Sequence, residues 1–179
     1  MHGVLTIATV VISTLAVVPH VRAETDPFAG TWKLNVEKSK YNAGTPPRSE
    51  VRTYEAIVDS TKRQPLDSAQ GTPKTNFQGA GERLTVHGVA ADGSVVEWGY
   101  TVRFDGKYYP ITGAGPGGAD TIAVKRVSAR KVEATLAKGG KPIETASREV
   151  SEDGKTMTAK AWIVGANGPP IFIIVYDKQ

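Results

Sequence analysis

The stretch that decides the fold is "SVVEWGYTVRF", residues 94–104. Val96, Trp98, Tyr100, Val102 and Phe104 fall on one face, and Glu97, Gly99, Thr101 and Arg103 on the other. A period of two carried by β-branched and aromatic residues predicts a half-buried strand rather than a helix. The same alternation groups Trp32, Leu34 and Val36, then Leu84 with Val86, then Val132, Ala134 and Leu136. It returns in Met157, Ala159, Ala161 and Ile163. No convincing amphipathic helix interrupts it.

The punctuation between these runs is short. Asp92-Gly93, Asp105-Gly106, Asp153-Gly154, Gly139-Gly140 and "GANG" at 165–168 are hairpin signals, because glycine accepts positive φ without a Cβ clash. From Glu82 to Tyr176 the chain therefore reads as an antiparallel meander with no room for crossover helices. With runs near 31–36, 50–58 and 82–89, the expectation is eight to ten strands. The last run, "IFIIVY" (171–176), is apolar on both faces, which suits a strand flanked on both sides, beside the first. An open sandwich would leave edges exposed, whereas closure removes them. The fold class expected is all-β, a single antiparallel up-and-down barrel.

Two segments depart from this order. "KSKYNAGTPPRS" (38–49) reads as a Pro/Gly-punctuated loop after the first strand, and residues 60–81 read as a polar, flexible insert. Ahead of both, Val4–Val18 is an apolar run of 15 residues that breaks at Pro19 and reaches "VRA" at 21–23. That is the layout of a secretory signal cleaved after Ala23, and it is shorter than the roughly 20 residues of a membrane span. The expected domains are the signal, 1–23, and a barrel, 24–179, in the periplasm or outside the cell, with no stable membrane anchor after cleavage.

Composition removes several functions. The formal charge is +4, of which Arg22 leaves with the signal; so mild and scattered an excess does not indicate nucleic acid. With no cysteine there is no disulfide, thiol nucleophile or sulfur ligand. His2 and His20 leave with the signal, so His87 is the only histidine of the mature chain. It alternates out of the Leu84–Val86 face, and one exposed histidine makes neither a metal site nor a triad. No metal or other cofactor is expected. "GAGPGG" (113–118) matches the letters of a dinucleotide fingerprint, but "DTIAVKRV" after it is a strand where the fingerprint needs a helix. It reads as a rim loop. Glu149, Glu152 and Asp153 read as a solvated turn.

The opening "FAGTWKLN" (28–35) resembles the Gly-x-Trp first strand of lipocalin-type (calycin) barrels. With "VYDK" at 175–178, the mature chain is similar to small secreted lipocalin-like proteins of bacteria. The resemblance implies that Gly30 lets the chain pass close to its neighbours and that Trp32 plugs the closed end. Lipocalins place an arginine near the last strand to stack on that tryptophan, where this chain offers only Lys178, and of the Arg-x-Tyr of fatty-acid carriers only Tyr176 is present.

The functional expectation that follows is a non-enzymatic barrel binding a small apolar or amphipathic molecule, since a barrel of about eight strands can hold one. Candidate lining residues are Trp98, Tyr100, Val102, Tyr109, Arg126 and Tyr176. Tyr108-Tyr109-Pro110 reads as a stiff corner at the rim. Arg126 falls on the Ile122–Val124 face; inside, it needs a carboxylate or an anionic ligand, and the blander reading puts it at the strand end in solvent. Ala134, Ala146, Ala159 and Ala161 either ease packing or leave space. An alternative is a protein-binding module, such as an inhibitor of a secreted hydrolase, carried by the two long loops. An enzyme using Arg and Tyr is a third reading, to which a chain with one histidine and no cysteine offers least.

Overall fold

Ten antiparallel strands close on themselves in the computed structural model, which describes residues 26–57 and 81–179. They are β1 (Gly30–Tyr41), β2 (Ser49–Ile57), β3 (Gly81–Val89), β4 (Val95–Arg103), β5 (Asp105–Gly113), β6 (Thr121–Ser128), β7 (Lys131–Lys138), β8 (Lys141–Val150), β9 (Thr156–Ile163) and β10 (Phe172–Lys178). Each pairs with its sequence neighbours, and β1 pairs with β10 through Trp32↔Lys178 and Leu34↔Tyr176 to close the barrel. The up-and-down barrel read from alternation and tight turns is the fold observed. The proposed signal segment and residues 60–80 of the insert lie outside the described residues; Gly81 already belongs to β3, paired with Ile57.

The turns work as their chemistry dictates. In Asp92-Gly93-Ser94, Asp92 Oδ1 accepts the Ser94 N–H at 2.9 Å while Gly93 takes φ +92°. Asp153 does the same for the Lys155 N–H at 3.0 Å. Each carboxylate supplies the partner that a tight turn denies the backbone.

Three local expectations need correction. β1 does not stop at Lys38 but runs to Tyr41 across a wide bulge, where residues 36–39 oppose Ile174 alone. Side chains bridge the gap: Asn35 Oδ1 accepts the Lys38 N–H, and Ser39 Oγ accepts the Val175 N–H at 2.9 Å. Unpaired backbone groups thereby find partners, and the strand survives a loop-like sequence. Tyr108-Tyr109-Pro110 is not a corner but part of β5, with Tyr108 outward and exposed. The β4–β5 ladder is short, Trp98↔Gly113 to Tyr100↔Ile111, and ends where Pro110 has no N–H to donate. Third, Arg126 does not reach solvent; its side chain is 6% exposed.

Inward positions carry the core, including Leu84, Val86, Val102, Val124, Val132 and Met157. Outward positions carry Lys33, Arg83, Glu97, Lys125, Glu133, Glu149 and Lys160, none of them buried. That is opposite to the apolar outer band of a membrane barrel. One end is sealed by residues 26–28. Trp32, fully buried, donates its indole N–H to the Phe28 carbonyl at 2.8 Å, and Phe28 is 1% exposed. Lys178 lies with its Nζ 4.9 Å from the Trp32 ring centroid and donates to the Pro27 carbonyl at 3.2 Å. A lysine thus supplies the cation over the ring. Gly30 takes φ +119°, which favours glycine, and a Cβ there would meet Lys178 Cε at 3.2 Å.

Trp32→Ala should destabilise the barrel by about 3–5 kcal/mol through lost burial and an unfilled end. Trp32→Phe, which keeps a ring but orphans the Phe28 carbonyl, should cost about 1–3 kcal/mol. Urea denaturation followed by intrinsic fluorescence checks both.

Candidate functional site

The inward faces are not purely apolar. On β2, Glu50, Arg52 and Tyr54 alternate inward; on β3, Glu82; on β8, Glu144 and Arg148. Taking such groups out of water is costly unless they pair, and three guanidiniums do. Arg52 Nε donates to Glu50 Oε1 at 2.6 Å, and the Tyr176 hydroxyl donates to the same oxygen at 2.6 Å. Arg148 donates to Glu82 Oε1 and to the Tyr100 hydroxyl, which also donates to that oxygen. Arg126 donates to Asp26 Oδ2 at 2.5 Å and to the Ala129 carbonyl. Aromatic faces complete the packing: Arg148 lies 4.5 Å from the Tyr54 centroid, Arg126 4.5 Å from Phe104, and Arg52 4.8 Å from Tyr176.

These pairs divide the interior. Arg126–Asp26 lies against Phe28 of the sealed end, and Arg148–Glu82 stands between that end and the cavity, with Arg148 over Phe28 on one side and lining the cavity on the other. Towards the other end lies a cavity of about 70 Å³. Ala134, Ala146 and Ala159 form part of its wall, and it exists because these three inward positions carry only a methyl group. Ala134 and Ala146 are direct cross-strand partners, as are Ala146 and Ala161, so the small residues lie side by side. The wall also holds Leu84, Ile122, Val132 and Leu136, the rings of Trp98, Tyr100 and Phe172, and the polar residues Arg52, Glu144, Ser147, Arg148 and Lys160. Pro116, in the short 3-10 turn Pro116–Gly118 that "GAGPGG" forms between β5 and β6, lines it at the rim.

The candidate residues are therefore placed as follows. Trp98 and Tyr100 line the cavity, with ring centroids 6.2 Å apart. Val102 is buried in the sealed half. Tyr109 packs at the edge of the core and donates its hydroxyl to Asp105 at 3.1 Å. Arg126 lies beneath, held by Asp26, and Tyr176 is fully buried as a donor to Glu50. His87 is exposed, its Nδ1 3.5 Å from Glu97. Among the described residues no three His, Asp or Glu side chains converge as metal ligands.

Sequence reading missed Arg52, Glu144 and Arg148, all of which line the cavity. The signal was present in "PIETASREV" (142–150), where Glu144, Ala146, Arg148 and Val150 share one face and Thr145, Ser147 and Glu149 the other. Val150 and Ala146 mark that face as inward.

The two acids near the cavity differ in charge balance. Burial pushes Glu50 up, but Arg52 and the hydrogen bonds from Tyr176 and Arg52 outweigh it, so its carboxyl lies below the usual range. Glu144 is 6% exposed and accepts no hydrogen bond among the described residues. Burial raises it, opposed only by the field of Arg52. Burial also pushes Tyr41, beside Glu50, up to about 12, so its hydroxyl stays protonated.

Opposite pH dependences follow. The contribution of Glu50 is present above its ordinary value of 4.5 and lost as the pH falls through its folded value. Glu144 binds its proton more tightly folded than unfolded, so stability falls as the pH rises from 4.5 towards its folded value. Glu144→Gln should therefore gain stability over the parent as the pH climbs above 4.5, then level off. Glu50→Gln should instead match the parent in strong acid, fall behind it as the pH climbs towards 4.5, and keep a constant deficit above that. Urea midpoints measured across a pH series read both signs.

No family model matches this chain, and no curated protein does, so the cavity and its lining are what speak to function.

Proposed function

We propose that the protein is an exported, lipocalin-like barrel that binds a small, largely apolar molecule inside the barrel, beneath the Pro116 rim. The observation that carries this reading is the cavity beside the inward Ala134, Ala146 and Ala159. Interiors normally pack to crystal density, and a void lined by Leu, Ile and aromatic rings gains by being occupied. Its few polar groups among apolar walls are the composition of a ligand site.

Size narrows the ligand. About 70 Å³ is well under the roughly 300–1,000 Å³ of sites for drug-sized molecules. It is also about half the volume of an apolar cavity that takes benzene, about 150 Å³. The fitting molecule is compact, on the scale of a leucine side chain rather than a lipid tail. Export to the periplasm or medium is supported by the apolar run Val4–Val18 that breaks at Pro19 and reaches "VRA" at 21–23.

Isobutanol, a branched alcohol with the bulk of a leucine side chain, is a direct probe. Saturation-transfer NMR should show it bound to the parent, and Ala146→Leu, which fills the same space covalently, should abolish the signal. The variant should stay within about 1–3 kcal/mol of the parent in urea denaturation. Equal binding by a folded Ala146→Leu protein would place the alcohol elsewhere and sink the reading.

A further inference from the structure

The interior holds an odd number of charges. Among the described residues, four buried or nearly buried carboxylates, Asp26, Glu50, Glu82 and Glu144, face three guanidiniums, Arg52, Arg126 and Arg148. Each guanidinium is matched to one carboxylate: Arg52 to Glu50, Arg126 to Asp26 and Arg148 to Glu82. Glu144 is the remainder. It sits on the inward face of β8, lines the cavity, and accepts no hydrogen bond from any described group. A carboxylate more than nine-tenths buried and in no ion pair among the described residues is costly, and its place on the cavity wall lets an occupant reach its oxygens and pair with it.

Resting on the ligand-binding reading above, we infer that the occupant carries a cationic ammonium group, which Glu144 receives while the apolar walls hold its carbon body. The ligand class is a compact aliphatic amine. Three features favour a cation over an anion. Inside the barrel Glu144 is a surplus negative charge, whereas Arg52 and Arg148 on the same cavity are already neutralised by Glu50 and Glu82, and Lys160, the other cation on its lining, holds an outward, exposed position of β9. The rings of Trp98, Tyr100 and Phe172 share the cavity with Glu144, and ring faces attract ammonium ions. An ammonium donor to a carboxylate also makes a bond roughly twice as strong as a neutral pair.

The test compares three molecules of one shape: isobutylamine, isobutanol and isobutyrate, titrated by NMR at pH 8 into the parent and into Glu144→Gln. In the parent the amine should bind at least about tenfold more tightly than the alcohol, and isobutyrate should be weakest. In Glu144→Gln the preference of amine over alcohol should vanish while alcohol binding persists. Glu144→Asp, which retracts the carboxylate, should keep part of the preference. Amine and alcohol binding equally to the parent would overturn the ammonium assignment but leave the cavity reading intact. Tighter binding of isobutyrate would overturn it in favour of the guanidiniums. Failure of all three to bind would overturn both readings together.

Discussion

A sheet that closes on itself must fill its own interior, and closure here depends on the ladder between β1 and β10. Trp32↔Lys178 and Leu34↔Tyr176 are the pairs that turn an open meander into a barrel. Once closed, every second side chain of all ten strands points to a shared space of limited width. Large rings take up most of it: Trp32, Tyr54, Tyr176 and Phe28 are the bulkiest fully buried side chains. Where the chain offers alanines on neighbouring strands instead, the space is left open. The cavity is thus a consequence of closure combined with three short side chains.

The buried ion pairs have a different role from the apolar core. A buried pair contributes little net stability compared with hydrophobic replacements, yet breaking one by removing a partner costs about 3–5 kcal/mol. Arg148 shows what such a group does well. It ties Glu82 of β3, Tyr100 of β4 and its own β8 across the barrel and lies against Phe28 of the end plug. Arg126 does the same for Asp26 of the plug and Phe104. Strands that are distant in the chain are thereby held in one arrangement, and Glu144 is the carboxylate that this arrangement leaves for the cavity.

Legibility in the sequence followed the type of signal. Alternation in "SVVEWGYTVRF" and Asp-Gly turns are local, and both were realised as β4 and as hairpins. The two-faced β10 pointed to closure because a strand apolar on both sides asks for cover on both. Local propensity failed where distant side chains intervened. "KSKY" reads as a loop, but Asn35 and Ser39 bridge a bulge and keep it in β1. Arg126 reads as a strand-end cation, but Asp26, 100 residues earlier, draws it under the barrel.

The sequence by itself determined the strands, their turns and the presence of inward tryptophan and alanine positions, since a period of two and glycine's freedom at positive φ act within a few residues. It also set the surplus of one inward carboxylate, though nothing local marks which acid is unmatched. Only the tertiary structure decided that Arg52, Arg126 and Arg148 take Glu50, Asp26 and Glu82. It alone decided that Ala134, Ala146 and Ala159 leave space instead of tightening the packing. The reason is physical: a charge finds its partner, and a methyl group its neighbours, across the closed barrel, over separations that no periodicity along the chain encodes.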